Sequence, residues 1–316
     1  MRTFAMALLL FAFATSTLFA QSARTTKDSS ETPAQEHGFL SYVDFGGSSN
    51  ADGRVFTLGL SAGYEFNPHV SVGVRMPVYF VSADNTTTTG TTTGNISGGR
   101  LTNNGFGDPS LALQLNFPNR TLNYQTVLTT WLPVASTTSG FSTGNVLVDW
   151  GNRISRPFGR LIPFGQLDIG NTVPDTPTFI LPYTAQGTNV RLESGANYQL
   201  TKIFFAGASF YDVVPSGEQH IYSRMGMGAQ SGSSPSGNSG MMGGATAGNQ
   251  NSLMTNPVKV GTDLTRDHGF STWFDATLSN YVDMEIGYTR SYGYDLNTVS
   301  FGMGFNVGAA LRHAKK

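Results

Sequence analysis

From residue 56 onward the chain alternates. Phe56, Leu58, Leu60, Ala62, Tyr64 and Phe66 take every second position, with Thr57, Gly59, Ser61, Gly63 and Glu65 between them. Side chains of a strand point to opposite faces in turn, so this period predicts a strand with one apolar side. The next segment repeats it, setting Val70, Val72, Val74, Met76, Val78 and Phe80 against Ser71, Gly73, Arg75, Pro77 and Tyr79. Clear alternation returns at 111–117, 146–154, 282–289 and 299–307, and weaker alternation at 39–45, 122–132, 161–169, 190–200, 203–213 and 270–278, which makes twelve predicted strands.

A soluble β-sandwich also alternates, but its strands average about five or six residues, whereas a tilted bilayer-crossing strand needs about ten. The connections separate the two architectures further. Turns at 67–68, 118–120, 157–160, 201–202 and 280 are short; the stretches 46–53, 83–103, 136–142, 171–188, 215–268 and 291–297 are long, and the two kinds take turns. Outer-membrane barrels have short periplasmic turns and longer outer loops. Hydrocarbon cannot hydrogen-bond an exposed backbone, so only helices or closed sheets survive in it, and the period excludes helices. The expectation is an all-β protein: a transmembrane antiparallel up-and-down β-barrel of about 12 strands, spanning 38–308, in contact with outer-membrane lipid.

Composition agrees. Only 12% of residues are charged and the mean hydropathy is -0.14, too polar for a helical membrane bundle, while the net charge of -1 offers nothing to nucleic acid. No cysteine is present, which removes thiolate metal sites, thiol nucleophiles and disulfides. Arg2 followed by the apolar run Ala5 to Ala14 reads as a secretory signal peptide over 1–20, which directs the chain to the bacterial outer membrane. Residues 21–37 read as a flexible periplasmic lead and 309–316 as a C-terminal tail.

By alternation the inward-facing charges are Glu65, Arg75, Asp108, Asp149, Arg153, Asp168, Arg191, Glu193, Asp212, Asp275, Asp283 and Glu285. Acids outnumber arginines. They suit either a pore wall that favours cations or neutral solutes, or cross-strand ion pairs that fill a narrow barrel. The segment 215–268 is a low-complexity outer loop whose methionines, with His220 nearby, read as uncharged filler rather than a soft-metal site. Gly105-Phe106-Gly107-Asp108 precedes a strand instead of a helix, so it is not a phosphate loop. The histidines fall at turns, loops or ends, and only His268, beside Asp267, sits at an outer rim, so no enzyme and no cofactor are expected.

Two resemblances add to this. Ser300, Gly302, Phe305 and Val307 in the last strand resemble the C-terminal signal read by the barrel-assembly machinery, although a tail follows here where that signal usually ends the chain. Val72 to Pro77, Gly105-Phe106-Gly107-Asp108, Trp131-Leu132-Pro133, Gly140-Phe141-Ser142-Thr143-Gly144 and Phe158-Gly159-Arg160 resemble, in order and spacing, the outer-membrane transporter family named for the meta pathway of phenol degradation. Ala135 stands where that family's pattern has a glycine, and 215–268 has no counterpart in it. The resemblance implies a pore or uptake channel for small, often aromatic, solutes. The expected function is therefore an outer-membrane pore for passive uptake or efflux of small, aromatic or hydrophobic solutes. The alternative is a structural or surface-interaction barrel with a closed lumen and no transport.

Overall fold

A computed structural model describes residues 38–83, 101–119, 121–172, 182–183, 185–223, 254–260, 265–279 and 281–308. The segments expected to be a signal peptide (1–20), a lead (21–37) and a tail (309–316) lie outside them, as do residues 84–100 and Met225, Met227, Met241 and Met242. The strands are β1 Gly38–Asn50, β2 Gly53–Asn67, β3 Val70–Ala83, β4 Leu101–Phe106, β5 Ser110–Phe117, β6 Asn123–Trp131 and β7 Leu147–Ser155. There follow β8 Leu161–Thr172, β9 Ala185–Gln199, β10 Phe204–Ser223, β11 Met254–Val260, β12 Asp267–Thr277, β13 Val282–Ser291 and β14 Leu296–Asn306.

Every neighbour pairs antiparallel and the sheet closes on itself, with β14 against β1 and β9 against β10. Two staves are interrupted. The inner half of β3 pairs β5 and its outer half β4, while β10 pairs β12 and then, further out, β11, so the ring has 12 staves. All twelve predicted strands are present.

The outward face carries the predicted apolar stripe, and the exposure of Phe56, Leu60, Val74, Leu113, Trp150, Leu192, Phe210 and Ile286 on it is exposure to lipid. Aromatic rings cluster at its two borders. Near the short turns Tyr64 meets Phe66 at 5.1 Å between centroids and Phe117 stacks on Tyr124 at 5.9 Å. Near the opposite rim Phe270 touches Phe210 at 6.4 Å and Tyr292 at 6.3 Å. Such paired girdles mark the two interfaces of a bilayer.

The loop pattern needs correction. Residues 46–53, expected as a long loop, are mostly strand: β1 and β2 pair up to Asn50 and Gly53, leaving a turn of 51–52. Asn50 Oδ1 accepts the backbone N–H groups of Asp52 (2.8 Å) and Gly53 (3.2 Å) there. Likewise β13 and β14 run on to Ser291 and Leu296, and β10 and β11 extend a ladder into the segment expected to be loop from 215. Alternation fades at these levels because water, not lipid, touches the outer side, yet backbone pairing continues.

Candidate functional site: the barrel interior

Strand parity decides which side chains enter the barrel. Of the predicted inward charges, Glu65, Arg75, Asp108, Asp149, Arg153, Asp168, Arg191, Glu193, Asp275, Asp283 and Glu285 do so; Glu65, Arg75, Asp108, Asp149 and Asp168 are buried in residue terms, and Asp275 pairs directly with Glu285. Asp212 does not. It pairs with exposed Leu192 and with His268 and shares the outward face of Phe210 and Val214, where its carboxylate lies 3.5 Å from the Arg266 guanidinium. The faint alternation of β10 hid this, because Tyr211 and Val213 look apolar yet turn inward.

Two inward carboxylates escaped the sequence reading. Asp44 is fully buried and takes a 2.9 Å hydrogen bond from Arg75 Nη2 across β2. Its position between Val43 and Phe45 was a usable signal. Asp267 accepts hydrogen bonds from Tyr211 Oη (3.0 Å), Ser291 Oγ (2.6 Å) and the Gly293 N–H (3.1 Å) at the outer rim. His268, next in sequence, points outward with its ring 5.7 Å from Tyr292. Adjacent strand residues face opposite sides, so this pair forms no catalytic dyad.

On β7, β8 and β9 the charges form a lattice. Arg153, Gln166, Glu193 and Tyr211 make one cross-strand row, and Gly151, Asp168, Arg191 and Val213 the next. Arg153 Nη1 donates to Gln166 Oε1 (3.1 Å), Gln166 Nε2 donates to Asp168 (3.0 Å), and Arg191 Nη2 donates to Glu193 Oε2 (2.7 Å). Arg153 also lies 3.6 Å over the Phe164 ring and Arg191 5.3 Å over Tyr211. These contacts hold the arginines flat against the wall. Across the ring, Tyr42 Oη donates to Asp283 Oδ1 at 2.6 Å, its ring lying over Gly304 where a Cβ would collide. Among the described residues the inward acids exceed the inward arginines Arg75, Arg153 and Arg191, and no group of three or more metal-ligating side chains of the His, Cys, Asp or Glu type assembles.

The connection after β6 is a feature of the interior that alternation could not reveal. Instead of standing clear of the barrel, the connection of residues 132–146 turns its tip, residues 140–143, inward. Phe141 is fully buried among Val55, Tyr79, Val81 and Ala83, all inward residues of β2 and β3, and stacks on Tyr79 at 5.4 Å. Between β4 and β5 the register shifts by one residue, with Val78 opposite Phe106 but Arg75 opposite Ser110. This bulge aims the Asp108 carboxylate inward, where Oδ1 accepts the N–H groups of Val134 (3.0 Å) and Ala135 (2.9 Å). A second cluster joins Trp131, Leu147 and Tyr183, the last from the connection after β8.

A closed antiparallel ring with a lipid-facing apolar belt and a polar, charged interior defines a transmembrane β-barrel of the outer-membrane type. No protein-family model matches the chain, and no curated protein matches it by sequence. Solved structures of similar fold include the KdgM porin, at 7% identity over 84% of this chain and 98% of that one with a TM-score of 0.46. An outer-membrane channel from Pseudomonas putida F1 has 10% identity over 88% and 98%, with a TM-score of 0.49. The CymD monoaromatic hydrocarbon channel has 10% identity over 86% and 89%, with a TM-score of 0.38.

Proposed function

We propose that the chain is a passive channel of the bacterial outer membrane for small solutes, with a preference for cationic or neutral over anionic ones. The observation that carries this is the interior itself: carboxylates on most staves, with the three inward arginines pinned by neighbours. Rings of acidic side chains favour cations in a narrow aqueous path. The resemblance to the transporter family of the phenol meta pathway adds aromatic or hydrophobic solutes. Parts of its matching segments, Gly107-Asp108 and Phe141-Ser142, meet at the outer mouth of this barrel. The wall residues of the channel are then Glu65, Arg75, Asp108, Asp149, Arg153, Asp168, Arg191, Glu193, Asp275, Asp283 and Glu285. On the same reading the barrel-assembly machinery inserts the chain through Ser300, Gly302, Phe305 and Val307.

Planar-bilayer recording tests it. The purified barrel conducts, and a tenfold salt gradient gives a reversal potential on the cation side. Asp149→Asn with Asp168→Asn moves that potential toward zero. A folded barrel that passes no current and no solute refutes the reading. That outcome would support a closed structural barrel whose outer surface meets partners, a reading the inward-folded connection also favours.

A further inference from the structure

The connection between β6 and β7 is held at both ends and in its middle. Asn103 Nδ2 on β4 donates to the Ser139 carbonyl at 3.2 Å, and Asn145 Nδ2 donates to Gln186 Oε1 on β9 at 3.1 Å. The segment is thus tied to β4 at Ser139 and to β9 at Asn145. Its tip is built for the inward turn. The Phe141 N–H returns to the Ser136 carbonyl at 3.3 Å, and Gly140 (φ 80°) and Gly144 (φ 75°) take the left-handed conformations that flank the buried Phe141-Ser142-Thr143.

The wall is cut to receive it. At Gly105 a Cβ would stand 3.1 Å from the Phe141 ring, and at Gly107 one would strike Tyr79, the ring on which Phe141 stacks. The Asp108 carboxylate is 1% exposed and its hydrogen bonds to two loop N–H groups are of the strong, charge-assisted kind. A stacked aromatic, a buried carboxylate and two side-chain ties leave no slack for a swinging lid. Directly across the ring from β6 stands β13, whose Ser291, hydrogen-bonded to Asp267 of the adjoining β12, belongs to the facing wall.

We propose that the buried tip of the connection, residues 140–143, forms a fixed constriction that sets the size limit of the channel, anchored by Phe141 and latched by Asp108; this rests on the channel reading above. Removing either hold lets the connection leave the lumen without touching the barrel ladder.

The test compares the parent with Phe141→Ala and Asp108→Ala, which removes the acceptor of both N–H groups, in planar bilayers and in solute-swelling vesicles. Each variant should raise unit conductance about twofold or more, as widening the narrowest section of a pore does, and admit sugars that the parent excludes. The chain has no cysteine, so Ala83→Cys, beneath Phe141, gives a second readout that needs no current. Its thiol should resist a membrane-impermeant reagent when Phe141 is present and react once Phe141→Ala is added. If the parent conducts while both variants keep its conductance and cut-off and the thiol introduced by Ala83→Cys stays protected, the constriction is wrong and the channel stands. If folded parent and variants alike pass nothing, the channel reading falls and the constriction with it. Should Phe141→Ala fail to fold, Asp108→Ala and its effect on labelling decide the matter.

Discussion

Arg75→Met isolates the most buried ion pair among the described residues. Asp44 on β1 is 0% exposed in its side chain and Arg75 on β3 10%, and the guanidinium reaches across Gly59 and Ser61 of β2 to make a 2.9 Å bond. Methionine keeps much of the arginine's length and apolar stem but removes the charge and the donor. Asp44 is then left buried without its cation. Stranding one partner of a buried pair costs about 3–5 kcal/mol, whereas replacing both partners by groups of similar volume is often near neutral. The expected result is a loss of about 3–5 kcal/mol in Arg75→Met and within about 1 kcal/mol of the parent in Asp44→Leu/Arg75→Met. Urea unfolding in lipid vesicles, followed by the fluorescence of Trp131, Trp150 and Trp273, measures both, with heat-shifted gel mobility confirming the folded start. A single variant within about 1 kcal/mol of the parent would refute the reasoning. It would mean that water enters the wall at Asp44 and screens the charge as it does at a surface.

Burial in the β1–β2 turn pushes the Asp52 carboxyl up to about 6 from 3.8. Because its folded value lies above its unfolded one, the ionised group opposes folding progressively from about pH 4 to about pH 6 and by a constant amount above; Asp52→Asn should raise the urea midpoint at about pH 7.5 and leave it unchanged at about pH 3.5, and equal effects at both would contradict this. Phe305 lies edge-on to Phe45 at 6.2 Å across the closing seam of β14 and β1. Phe305→Asp puts a charge on the lipid face and should sharply lower the heat-modifiable fraction in outer-membrane preparations; an unchanged fraction would count against the last strand as an assembly signal.

The number of staves, their direction and the identity of nearly all inward charges follow from alternation alone. A strand has two faces and a bilayer tolerates only one kind of residue on the outer one, so local pattern and global closure say the same thing. Phe56 to Phe66 could be placed from sequence for that reason. Asp212 could not, since aromatic Tyr211 and aliphatic Val213 on the inner face mimic the lipid side. The extent of the strands beyond the membrane was likewise set by tertiary pairing. At Gly46 to Asn50 pairing is carried by backbone hydrogen bonds, which leave no periodic mark in the side chains.

The inward turn of residues 140–143 was decided by the tertiary structure alone. Gly140-Phe141-Ser142 reads locally as any polar turn with one aromatic. What draws it inward is a pocket made by residues far away in the chain, Val55 on β2 and Tyr79 on β3, together with a carboxylate turned inward by a bulge at Gly107-Asp108. Alternation records which side of its own strand a residue occupies. It holds no information on what a loop meets across a closed ring, because that neighbour exists only once the first and last strands have joined.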